Sequence, residues 1–206
     1  MRIISSFLMV AFPVLVFAQS KIKVDQINFF AGKNSTKFLY ASGSENKPTN
    51  WTTGSSYSLS ANLEFKPKHI LRPELNMYQA GAKSSADNIP LNWGLNYLGI
   101  GCGYAYKALE LKSLTLSPGA SLGLDYLTKG EQSIGNQRYD VVENKVFKRM
   151  NVGFNLFANA QFKVTETLSL LFEYRFGLGL NQIEKDSDET TRNVSNTAFV
   201  GLSFKL

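Results

Sequence analysis

The sequence predicts an all-β fold: a closed, antiparallel, eight-stranded up-and-down transmembrane β-barrel after a cleaved signal peptide. Three observations predict it. An apolar leader opens the chain. Apolar and polar residues then alternate with period two. The connections between the alternating runs are short and long in turn. The composition agrees. The 206 residues suit one domain. Charged residues make up 18% of the chain, below the usual share of about 25%. The 15 Phe and 9 Tyr favour strands. Net charge is +6, but Lys and Arg are scattered, so no nucleic-acid partner is expected.

The leader "MRIISSFLMVAFPVLVFAQS" carries Arg2, an apolar run from Phe7 to Phe17, and Val16 and Ala18 before the cut. It reads as a secretory signal peptide over residues 1–18, with residues 19–206 forming the barrel domain. The apolar run is shorter than the roughly 20 residues a spanning helix needs.

Eight strands follow, at roughly 22–31, 55–66, 70–80, 90–106, 112–128, 149–163, 167–182 and 195–206. The first reaches 42 only if Gly32 to Ser35 does not interrupt it. The second sets Tyr57, Leu59, Ala61, Leu63 and Phe65 against Ser58, Ser60, Asn62, Glu64 and Lys66. In the fourth, Leu91, Trp93, Leu95 and Tyr97 share a face, and then Leu98, Ile100, Cys102 and Tyr104 take over. That phase change reads as a β-bulge, eased by Gly99, Gly101 and Gly103. The fifth and seventh strands alternate cleanly, and the sixth does so except at Phe157. Short connections fall near 67–70, 107–112 and 164–167. Longer ones fall near 43–54, 81–89, 129–148 and 183–194.

The apolar face is expected to meet lipid and the polar face to fill the interior. The opposite arrangement, a soluble lipocalin-like barrel, would need more charge on its polar face than Ser, Gly, Asn and Thr supply. Glu64, Arg72, Glu74, Asp125, Glu173 and Arg175 would then form a charge network in the lumen, together with inward Lys66, Lys163 and Lys205. The pairs of interest are Glu173 or Glu74 with Arg175 or Arg72. An eight-stranded barrel is about filled by its own side chains, so these pairs read as a plug rather than an ion path.

No catalytic, cofactor-binding or metal-binding residue is expected. His69, the single histidine, lies in a short turn, whereas a hydrolase or protease of this size would need its base beside a nucleophile at the opposite rim. Cys102 lies between two glycines and reads as a small apolar filler. The loop "EKDSDETTR", with Glu184, Asp186, Asp188 and Glu189, lacks the glycine and spacing of a calcium loop and reads as solvated. Asn34, Asn50 and Asn193 each begin a glycosylation sequon, which carries little weight in an Asn-rich chain.

The leader, the eight strands, the turn alternation and the ending "GLSFKL" resemble the small outer-membrane β-barrel proteins. "SLTLSPGASLGLDYL" and the "AQS" cleavage site are similar to the PorT-like barrels of Bacteroidota. The even strand count, with the short turns on the periplasmic side, puts both termini in the periplasm. The resemblance implies an integral outer-membrane protein inserted by the barrel assembly machinery and surrounded by outer-membrane lipid and lipopolysaccharide. It also implies that Gly201, Phe204 and Leu206 belong to the C-terminal assembly signal. The expected role is structural or in interaction, through loops near 43–54, 129–148 and 183–194, with a possible envelope protein partner. The alternatives are a narrow channel for small solutes and an accessory subunit of an envelope secretion or assembly machine.

Overall fold

A computed structural model describes residues 23–41, 49–86, 88–185 and 190–206. The signal segment 1–18, residues 43–48 of the 43–54 connection, and Asp186, Asp188 and Glu189 lie outside the described residues. The strands are β1 (Lys23–Ala41), β2 (Thr52–Lys66), β3 (His69–Ala86), β4 (Ile89–Tyr106), β5 (Leu109–Glu110), β6 (Leu114–Ile134), β7 (Gln137–Asp140), β8 (Met150–Lys163), β9 (Leu168–Gly179) and β10 (Thr190–Lys205).

Eight of them form a ring in the order β1–β2–β3–β4–β6–β8–β9–β10. Antiparallel pairing of β10 with β1, from Gln26 opposite Lys205 to Ala41 opposite Thr190, closes it. The two short strands β5 and β7 each pair with β6. Closure leaves no unpaired edge on the ring, which is what a sheet in lipid requires. Both described ends lie together at the short-turn end, where the Leu206 amide donates to the Asp25 carbonyl at 3.0 Å.

Period-two alternation sorts the side chains. Phe29, Leu59, Met77, Ile100, Leu122, Phe172 and Val200 point outward and are exposed. Asn28, Ser58, Ser60, Ser121 and Ser203 point inward and are buried. An apolar belt of this size would be costly in water, at about 25 cal/mol per Å², so lipid is its natural surrounding. Aromatic residues mark the belt's margins: Tyr57, Tyr126 and Tyr174 toward the long-loop end, Tyr104, Tyr106 and Phe162 toward the short turns.

Three expectations need correction. Gly32–Ser35 does not interrupt β1, because each of these residues pairs with both β2 and β10. The long loop near 81–89 is absent. β3 and β4 stay paired up to Ala86 opposite Ile89, and Asn88, at φ 65°, takes a turn conformation. Gly81 and Ala82, within that expected connection, are buried in the sheet. Finally, β4 does not change phase. Leu95, Tyr97, Gly99, Gly103 and Ala105 all face inward. The irregularity sits on β6, where Thr128 is the extra residue between Lys129 and Leu127, the partners of Asn96 and Tyr97. What changes at Tyr97 is the lumen, which is apolar beyond it toward the loops and polar below.

Candidate functional site: a charged layer beneath an apolar lid

β3 and β9 face each other across the diameter of the eight-membered ring. Each carries an Arg and a Glu two residues apart, so both side chains point the same way, inward. The order is reversed: Arg72 then Glu74 on β3, Glu173 then Arg175 on β9. Opposite charges therefore meet across the lumen. Arg72 donates to the two carboxylate oxygens of Glu173 at 2.5 and 2.9 Å. Arg175 donates to Glu74 Oε2 at 3.0 Å and to Glu173 Oε1 at 2.8 Å. Arg72 also reaches Glu74 Oε2 at 3.4 Å. Ser121 Oγ donates to Glu74 at 3.1 Å, and Asn159 Nδ2 donates to Glu173 at 3.3 Å. Two cations and two anions make a neutral, hydrogen-bonded layer, the condition under which buried charge is tolerated.

Three inward aromatic rings flank the layer. Phe157 lies 4.3 Å from the Arg72 guanidinium carbon, Phe30 lies 5.4 Å from it, and Phe199 lies 5.2 Å from that of Arg175. Phe157, the exception to alternation in its strand, thus faces the charges. A sequence signal for all three exists: each adjoins an outward apolar residue, as Phe29–Phe30, Leu156–Phe157 and Phe199–Val200. Glycines supply the room. A Cβ on Gly101 would lie 3.0 Å from Glu74 Oε1, and one on Gly119 would run into the Phe157 ring.

The other two predicted charges stand apart. Glu64 pairs with Lys107 Nζ at 3.1 Å at the short-turn end. Asp125 lies toward the loops, where its Oδ2 accepts from Tyr78 Oη at 2.9 Å and Asn151 Nδ2 at 3.1 Å. Lys66, Lys163 and Lys205, expected inside, are exposed near the short-turn rim. The lumen there opens into a cavity of about 200 Å³ with Lys163 and Lys205 in its wall.

Toward the long loops the lumen is covered by an apolar lid. Phe38, Ala82, Leu95, Tyr97 and Leu127 from the wall pack with Val141, Phe147 and Ile183 from the connections. The two connections hold each other. Lys148 N–H donates to the Ile183 carbonyl at 2.7 Å, and Lys185 N–H donates to the Val146 carbonyl at 2.9 Å. Asp140 Oδ1 shapes the turn by accepting from the amides of Val142 at 2.7 Å and Glu143 at 3.0 Å. Between lid and charged layer remains a cavity of about 60 Å³, lined by Asn76, Tyr78, Asp125, Asn151 and Asn193 among others. That is room for a few waters.

His69 is on the outer surface at the short-turn end, where its Nδ1 lies 2.7 Å from Tyr104 Oη. Cys102 is exposed on the outward face of β4. Glu184 accepts from Thr191 Oγ1 at 2.9 Å. Among the described residues no group of His, Cys, Asp and Glu is arranged to hold a metal ion. Asn34 and Asn193, which begin two of the sequons, are buried. Of the three residues expected in an assembly signal, Gly201 faces inward, packed against the Phe30 ring and the Phe29 carbonyl, while Phe204 and Leu206 are exposed on the outer face.

No protein-family model matches the chain, and no curated protein sequence does either. Solved structures do match. The crystal structure of Neisserial surface protein A aligns with a TM-score of 0.51 at 17% identity, covering 87% of this chain and 97% of that one. A major outer membrane protein from Thermus thermophilus aligns with a TM-score of 0.50 at 9% identity, covering 87% of this chain and 99% of that one. At these identities the likeness is one of fold. The chain has the fold of the small outer-membrane β-barrels.

Proposed function

We propose that this chain is an integral outer-membrane protein that does not conduct solutes and acts through the surface it presents beyond the membrane. The observation that carries this reading is the double closure of the lumen. A diametral ion-pair layer blocks the middle, and the Val141–Phe147–Ile183 lid blocks the loop end. A path for solutes would have to break both, which weighs against the channel alternative. No catalytic role is proposed. The short-turn end, with both termini, is assigned to the periplasm. Kinship with the PorT-like barrels remains part of this proposal, on the sequence pattern quoted above.

The contact surface we favour is the arm formed where β3, β4, β6 and β7 continue past the belt, which joins the first part of the 129–148 region to the β3–β4 hairpin. Ile89, Ile134 and Tyr139 are exposed at its tip. An envelope protein is the expected partner. Two measurements test the reading. Full-length protein in planar bilayers should give no discrete current steps, and regular steps would restore the channel. A photo-crosslinking residue in place of Tyr139 should trap one protein adduct in native membranes. Adducts to lipid alone would remove the arm from the proposal.

A further inference from the structure

We propose that the outward face of β1 and β2, just beyond the apolar belt, binds the phosphate of a lipid headgroup in the leaflet at the long-loop end. The inference rests on the reading of the chain as a membrane-spanning barrel.

The outward residues of β1 run Phe29, Ala31, Lys33, Ser35, Lys37 toward the loops. A lysine on the lipid-facing side of a barrel is costly at mid-membrane and loses that cost near the interface. Lys33 is exposed and follows directly on the apolar run, so the headgroup level falls at this point. Register then assembles a set of donors. Lys33 lies beside Ser55 of β2, and Ser35 lies beside Thr53. The Lys37 ammonium lies 5.0 Å from the centroid of the Trp51 ring, and an exposed Trp is itself a residue of the membrane interface. Lys33 and Lys37 are four residues apart, about 13 Å along a strand. Two long, flexible side chains span that distance with the three hydroxyls between them.

Among the described residues the patch has no acid beside it. On the β10 side the neighbours of Lys33, Ser35 and Lys37 are Ala198, Asn196 and Val194. Neither lysine makes an ion pair among the described residues. Lys83, the next exposed outward cation, on β3, is equally without one. The short-turn end differs. There Lys107 pairs with Glu64, and Lys112, Lys163 and Lys205 share a cavity with Asp25, Glu110 and Glu166. Among the described residues, unpaired positive charge on this side of the barrel therefore gathers on the outer rim of β1, with Lys83 of β3 nearby. Ammonium and hydroxyl donors without an acidic neighbour suit an acceptor-rich anion, and the anion present at this depth is a lipid phosphate.

The test uses the full mature chain, refolded in a maltoside detergent with equimolar dioleoyl phosphatidylglycerol and dioleoyl phosphatidylcholine. Native mass spectrometry counts the lipids retained. Every variant must first show heat-modifiable gel migration, so failure to form a barrel is scored separately from failure to bind lipid. The wild type should retain phosphatidylglycerol over phosphatidylcholine. The double variant K33Q/K37Q should lower that preference about tenfold, since each lysine near an anionic surface is worth several-fold in affinity. S35A/S55A should lower it less, and K163Q at the other rim should leave it unchanged. Equal retention of both lipids by the wild type would overturn the proposal. So would a K33Q/K37Q protein that keeps its preference, or a K163Q protein that loses as much.

Discussion

Arg72 and Glu173 are 101 residues apart in sequence and meet across the full width of the barrel in a two-pronged ion pair, with both side chains buried. Closing the ring is what brings them together, so the pair reports on assembly of the whole sheet. Replacing one partner leaves the other buried and uncompensated, at a cost of about 3–5 kcal/mol. Glu173→Leu should therefore lower urea stability in detergent micelles by that amount. Arg72→Met combined with Glu173→Leu should cost clearly less than the two single losses added together. Strict additivity in this double-mutant cycle would mean that the two groups are not coupled.

Gly119 tests the packing beneath those charges. It faces Phe157 so closely that any Cβ meets the ring and the Tyr104 carbonyl. Phe157 in turn stacks on Arg72. Gly119→Val should push the ring off the guanidinium and cost about 1–3 kcal/mol of overpacking strain. Adding Phe157→Leu should recover part of that loss. If Gly119→Val alone unfolds at the wild-type urea concentration, the close approach is not a feature of the protein in solution.

The fold was legible because a sheet with lipid on one side and a narrow lumen on the other must alternate, and most of this chain does. The charged layer was half legible. Arg72, Glu74, Glu173 and Arg175 stand out as inward charges, but only ring order places β3 opposite β9 and makes one layer of them. Glu64 and Asp125 have the same period and lie at other depths, which periodicity does not encode. The errors at β4 and at residues 81–89 share one cause. Beyond the belt the barrel continues into water, and there the lumen becomes apolar while the outside becomes polar. Leu95 and Tyr97 point inward like Gly99, yet their polarity suggested a bulge. Residues 81–89 read as a loop, yet Ala82 there faces the lid core beside Ala80 of the strand.

Phe147 joins the 141–149 connection to the barrel wall, with its ring centroid 5.9 Å from that of Phe38. Phe147→Ala should release the 141–149 connection without opening the barrel, because the connection belongs to the lid and the sheet does not depend on it. Trypsin should then cut at Lys145 and Lys148 several-fold faster than in the wild type. Heat-modifiable migration should persist, and bilayer currents should stay silent, because the charged layer still blocks the lumen. Ion conduction by this variant would show that the lid alone seals the protein.

Ser203 to Leu206 close the ring at its short-turn end. Ser203 pairs with Asn28, Phe204 with Ile27 and Lys205 with Gln26, and Leu206 adds its amide to the Asp25 carbonyl. Without these four residues β1 keeps β2 on one side and loses its partner on the other, leaving unpaired backbone groups at the edge of the belt. In lipid each such group costs several kcal/mol. Phe204 and Leu206 are also the outward residues we assign to recognition by the assembly machinery. Deleting Ser203–Leu206 should therefore abolish the heat-modifiable form in cells and leave unassembled chain to proteolysis. Refolding the truncated protein in detergent separates the two causes. A barrel that forms in micelles but not in cells would place the defect in recognition, and failure in both would place it in closure. Normal insertion of the truncated chain in cells would count against both roles.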